Sequence, residues 1–180
     1  MCGHDEAKEF GEAAAGLRDG AFSRLEPLFI PAEEAGGVSR IVRYHQEGRF
    51  VGEPEALAEA LTCACWLGHV ETAEYLLRQG VTPLGGAATG MDALHWAANR
   101  GQLAAVRLLL ERGAGLETIN RFGGTVIDLV LWSAVHEPKP DHAAVLDALW
   151  EAGARPTVEV ELTGRADVDE VIRRRYQRSC

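Results

Sequence analysis

The sequence predicts an all-α solenoid of helix-turn-helix units, and three observations lead there. Three stretches align at a fixed spacing: EALTCACWLGHVETAEYLLRQG from Glu59, DALHWAANRGQLAAVRLLLERGA from Asp92 and TVIDLVLWSA from Thr125, each starting 33 residues after the one before. Glycines punctuate equivalent places. Gly68 and Gly101 separate the two apolar stretches of a unit, while Gly80, Gly113 and Gly153 fall where a helix C-terminus takes a left-handed residue. Apolar positions keep the helical period: Leu94, Ala97 and Ala98, then Val106, Leu109 and Leu110, form a face that a neighbouring unit must cover.

The period and the middle copy, with ALH, WAANRGQ and the amphipathic VRLLLERGA, resemble the ankyrin-repeat family, in which PLH stands at the position of ALH. The resemblance is strong over residues 55–155 and weak outside them. It implies an ankyrin-repeat solenoid in which each unit is a short β-turn finger followed by two antiparallel helices, closed at both ends by helical caps.

The elements follow in order. Residues 1–54 are expected to hold degenerate capping helices and an extra segment. EAAAGLRDGAFSRLEPLF, residues 12–29, reads as a helix pair turning at Gly20, with Phe22, Leu25, Leu28 and Phe29 on the second helix. Gly20 to Gly68 is 48 residues, 15 more than a period, and the excess lies between Ile30 and Pro54, where VSRIVRYHQEG predicts a helix started by Ser39. Residues 55–157 hold the three repeats, 59–91, 92–124 and 125–157, with Asp92 and Thr125 as N-caps. Gly80 to Gly113 is one period, but Gly113 to Gly153 is 40 residues, so the third repeat carries seven extra, near 135–141. They read HEPKPDH with their flanks. Pro138 and Pro140 lack an N–H, so the helix DLVLWSAV stops near His136, Asp141 caps the next helix, and His142 takes the place of His69 and Gln102 in the other copies. Residues 158–180 form the C-terminal cap: VEVEL alternates like a short strand, and a helix begun by Asp167 carries Val168, Val171 and Ile172 on one face.

Composition narrows the function. With 180 residues, 47% hydrophobic and 25% charged, the chain suits one domain with a real core. A formal charge of −9 disfavours nucleic acid and anionic membrane as partners, since these need basic surface. The arginines at 40, 43, 49 and 173–175 read as solvated faces. MCGHDEAKEF lacks the apolar run of a signal peptide and no segment reaches the ~18 apolar residues of a membrane span. A monomer in a reducing cytoplasm is expected. Cys2, Cys63, Cys65 and Cys180 make neither a disulfide framework nor a metal knuckle, and no cofactor or metal is implied.

Catalytic patterns are sparse. HEPKPDH is not the zinc-protease HExxH, because His136 and His142 are six apart with two prolines between them. GGAATG, residues 85–90, lacks the Lys-Ser/Thr of a phosphate loop, and no GxSxG elbow occurs. Cys63 and Cys65 fall among small helix-packing positions, and His95 stands where the ankyrin family has a histidine that bonds between repeats.

The remaining signal is a surface. In the family, the last residues of the first helix, before the turn glycine, face a concave groove. Here they are Trp66 and Leu67, Asn99 and Arg100, Trp132 and Ser133, with the finger residues Met91 and Phe122 above and His136 and Glu137 as a wall. Aromatic rings and arginine dominate binding hot spots. The expected function is therefore a non-catalytic module that binds a protein or peptide through this groove. Two alternatives compete. The segment 38–52 could fold over Trp66, or His95, His136, Glu137, Asp141 and His142 could wall a small-molecule or catalytic pocket with Trp66 and Trp132, where a carboxylate beside an imidazole sets its tautomer and pKa.

Overall fold

Helices in two rows make up residues 2–32, 37–83 and 89–177, the part of the chain that this computed structural model describes. Residues 85–88 of GGAATG and Cys180 lie outside it, as does the Cys2 side chain. In one row α1 (Cys2–Arg18) and α2 (Phe22–Phe29) pack on α4 (Pro54–Leu67), followed by α6 (Ala93–Asn99) and α8 (Val126–His136). The other row runs α3 (Arg40–Gln46), α5 (Val70–Arg78), α7 (Leu103–Glu111), α9 (His142–Glu151) and α10 (Ala166–Gln177). A two-stranded antiparallel hairpin, β1 (Pro31–Ala32) and β2 (Val38–Ser39), leads into α3 with Pro31 opposite Ser39. Leu61, Leu76, Leu94, Leu109, Ile127, Leu146 and Leu149 are fully buried, one or two from each inner helix, so every repeat is covered by the next.

Local chemistry sets the helix starts. The Asp92 carboxylate accepts from the His95 N–H at 3.0 Å, Ser39 Oγ accepts from the Val42 N–H, and Thr125 with Asp128 completes a capping box. The 15 extra N-terminal residues form α3 and its hairpin, which add one helix to the second row. Ser39 Oγ meets Thr72 Oγ1 at 3.0 Å, one period away, and His45 Nδ1 meets the Tyr75 hydroxyl at 3.0 Å. The arginines of this segment are ion-paired: Arg40 with Glu9, Arg43 with Glu47, and Arg49 with Glu6 and Glu47.

Three expectations need correction. Val158–Leu162 is not a strand, because no strand among the described residues offers it a hydrogen-bonding edge. Asp167 is not the cap of the last helix, which starts a residue earlier. It pairs with Arg165 at 2.6 Å, while the Asp169 carboxylate reaches back to the Thr163 N–H at 2.7 Å, its hydroxyl at 2.8 Å and the Gly164 N–H at 3.2 Å. Asp141 stands at the N-cap of α9 but bonds none of its N–H groups. Its backbone, φ −92° and ψ 6°, lacks the extended geometry that aims the Asp92 side chain (φ −73°, ψ −178°).

The insert extends α8 beyond the point where α6 ends and then turns back onto the preceding repeat. Arg165 Nη1 donates to the Lys139 carbonyl at 2.9 Å, the Lys139 N–H donates to His142 Nδ1 at 3.3 Å, and His142 Nε2 donates to the Asn99 carbonyl at 2.9 Å. Gln102 makes the equivalent bond one repeat earlier, Nε2 to the Trp66 carbonyl at 3.4 Å. Partners are 36 residues apart in that bond and 43 in the His142 bond, so the seven inserted residues loop out while the joint is kept. Both joints need glycine beneath them. Gly68 and Gly101 have φ of 84° and 70°, and a Cβ there would lie 2.5 Å from Gln102 Oε1 and 2.9 Å from Lys139 Cβ.

Candidate functional site

Two cavities that share a boundary lie along the first row of helices. The larger, about 610 Å³, is lined by Met91, Trp96, Phe122, Leu129, Trp132 and Val158, with Asn120, Asp128 and Thr157 as polar members. The smaller, about 420 Å³, extends from the Gly20 turn across Phe22, Trp66, Thr89 and Arg100. Trp96, Asn99 and Glu137 border both, which makes them one groove.

Its aromatic floor is built by edge-on packing. Phe22 lies between Trp66 and Trp96, with ring centroids 6.1 and 6.4 Å away, and the Arg100 guanidinium sits 4.6 Å from the Trp66 ring centre. The Trp132 ring lies tilted against His136, with centroids 4.7 Å apart. The finger at one end is held by Asn120 Oδ1, which accepts from the Phe122 and Gly124 N–H groups at 2.9 and 3.2 Å, and this turn leaves Phe122 80% exposed. Asp128 ties the finger to the chain beyond α9, accepting from the N–H and hydroxyl of both Thr125 and Thr157 at 2.7–2.9 Å. Burial alone would raise its pKa; the bonds from Thr157 and Thr125 outweigh that and hold the carboxyl below its usual value.

Of the residues expected to bind a partner, Trp132 and Phe122 are exposed on the groove, at 50% and 80%, and Met91 lines it while nearly buried. Trp66, Leu67 and Arg100 are half-buried. Trp66 is packed by Phe22, whereas α3 of the segment 38–52 packs on α2 and α5. Asn99 and Ser133 are not exposed. They are buried against each other, Asn99 Nδ2 donating to Ser133 Oγ at 2.8 Å and that hydroxyl donating to the Leu129 carbonyl at 2.7 Å. The bond from Asn99 of α6 and the bond back to its own helix hold Ser133 in the stack.

The histidines and carboxylates of the catalytic alternative are separated. His142 is fully buried with both ring nitrogens bonded to backbone groups, and burial lowers its pKa. His95 is fully buried too, its Nδ1 at 2.9 Å from Asp92 of its own repeat; Nε2 finds no partner among the described residues, so the bond between repeats expected of this position is not made. His136, Glu137 and Asp141 are exposed. No group of three His, Cys, Asp or Glu side chains among the described residues is placed to hold a metal. Cys63 and Cys65 are buried free thiols, Cys65 pushed up to about 12 and Cys63 raised further by the same burial, which leaves neither as a nucleophile.

Trp96, Asn120, Asp128, Thr157 and Val158 line the groove but were not singled out by the sequence. Trp96 had a signal, because it lies three and four residues before Asn99 and Arg100 and so shares their helix face. Thr157 and Val158 had none, being brought in by a loop.

Residues 32–120 match the family model described as ankyrin repeats (3 copies). No curated protein matches the chain. The matched span covers α3 to α7, whose helix pairs stack at the 33-residue period across the Gly68 and Gly101 joints, and the chain is an ankyrin-repeat protein.

Proposed function

We propose that this protein binds a protein or peptide segment along the groove without catalysing a reaction. Ankyrin repeats are in general protein-protein interaction modules. The observation that carries the reading is the pair of large exposed side chains, Trp132 and Phe122, on the border of a 610 Å³ groove whose other walls include Trp96, Met91 and Leu129. Rings held at the surface around an apolar concavity bury much area on contact and lose little side-chain entropy.

Trp132→Ala tests it. The ring is half exposed, so its removal should change unfolding free energy by less than about 1 kcal/mol, while retention of a partner should fall by about 100-fold. Thermal unfolding of both proteins, followed by titration of whatever the wild type captures from lysate, measures the two effects. Unchanged affinity would take Trp132 out of the binding surface, a large drop in stability would assign it to the core, and either would remove the reading. No helix among the described residues is long and apolar enough to cross a membrane.

A further inference from the structure

Glu137 is the residue that the insert delivers to the groove. It caps the extended α8 just before Pro138, borders both cavities, and has no side-chain hydrogen bond or ion pair among the described residues. Trp96 borders both cavities with it, and Trp132 lines the larger one. The groove as a whole is lined by four carboxylates, Asp19, Glu59, Asp128 and Glu137, and by two guanidiniums, Arg18 and Arg100. Arg18 is already ion-paired with Glu53, and Arg100 lies over Trp66. On a chain of net charge −9 this leaves Glu137 as a carboxylate without a cationic partner among the described residues, on the border where the two cavities meet.

Each kind of occupant meets that carboxylate differently. An apolar segment would strip water from Glu137 and give it no partner, which is costly. An acidic segment would be repelled at Glu137 and would find attraction only at the far end of the groove, where Arg100 lies. A lysine or arginine side chain would do neither. Its charge pairs with Glu137, its alkyl stem lies on apolar surface, and its cationic head is attracted to the face of an indole.

We infer that Glu137, with the Trp96 and Trp132 rings, seats a basic side chain of a peptide partner, so that the groove selects lysine- or arginine-bearing segments. This rests on the groove-binding reading above. The insert is then a specificity element: its extra helical turn and its anchorage through Lys139, His142 and Arg165 place one carboxylate where the two cavities meet.

A random 12-residue peptide library, selected on the wild-type chain and on Trp132→Ala, separates the two levels. The expected result is a set of peptides enriched only on wild type, each with a lysine or arginine. Their affinity should fall by about tenfold with Glu137→Gln, and by no further factor once the peptide's basic residue is replaced by norleucine. Glu137 is exposed, so the variant should keep the wild-type melting temperature. Enriched peptides that depend on Trp132 but lack a shared basic residue, or that ignore Glu137→Gln, would overturn the inference and leave groove binding standing. No Trp132-dependent enrichment would overturn both.

Discussion

His142→Ala should destabilise the protein by about 3 kcal/mol, near the top of the range for a single buried polar residue. The substitution leaves a cavity where the ring is now fully buried, orphans the Asn99 carbonyl and the Lys139 N–H, and frees the Pro-rich loop from the turn at Gly101. Chemical denaturation at pH 7.5 measures it. His142→Gln should cost less, because Gln102 makes the same kind of bond at the joint before. An equal loss from both variants would show that packing, rather than the bond to Asn99, holds the joint.

The same histidine sets the first stage of acid sensitivity. Burial lowers its folded pKa beneath the unfolded value of about 6.5, so above that pH it is neutral in both states and adds no pH dependence. Below it the unfolded chain takes up a proton that the folded one refuses. Its contribution to stability therefore falls with pH from about 6.5 down to the folded pKa. The carboxyls of Asp128 and Asp169, whose hydrogen bonds from threonine and backbone groups outweigh burial and lower their pKa values, withdraw their contribution only below about 4. Stability of wild type should decline in two steps, and His142→Gln should remove its share of the upper one.

Phe22→Ala is the second large effect, about 3–4 kcal/mol. Phe22 is 6% exposed and its ring edges meet both Trp66 and Trp96, so one side chain joins the N-terminal helix pair to α4 and α6. Its loss should lower the melting temperature and redden tryptophan emission in the folded baseline, since both indoles would gain water. A loss of stability with unchanged emission would mean that α2 is held elsewhere, for instance through Phe29 stacked on His69 at 5.9 Å. Because the same rings line the groove, the variant should also weaken any ligand that the wild type binds.

Much of the fold was legible because it repeats. A fixed period carries its own register, so Asp92, Thr125, Ser39 and the glycines at 68 and 101 could be assigned from chemistry that acts within a few residues. The insert was located by arithmetic between glycines. What escaped was any property set by a partner far along the chain. Asn99 and Ser133 look alike on paper whether they face solvent or each other, and what decides it is a hydrogen bond between side chains 34 residues apart. Asp167 and Asp169 differ by two residues, and the choice between them belongs to the Thr163 turn that folds back over the helix start. Thr157 and Val158 joined the site through an irregular loop, where no periodicity exists to read.

The two thiols of α4 give the stack an internal clock. Cys63 and Cys65 are wholly enclosed, on the helix that α1 and α2 cover on one side and α6 on the other. A thiol reagent reaches them only when those neighbours part. Their rate of modification therefore counts openings of the solenoid at its N-terminal third, without any label being added, and comparing that rate with global unfolding would tell whether the repeats separate one at a time or all together.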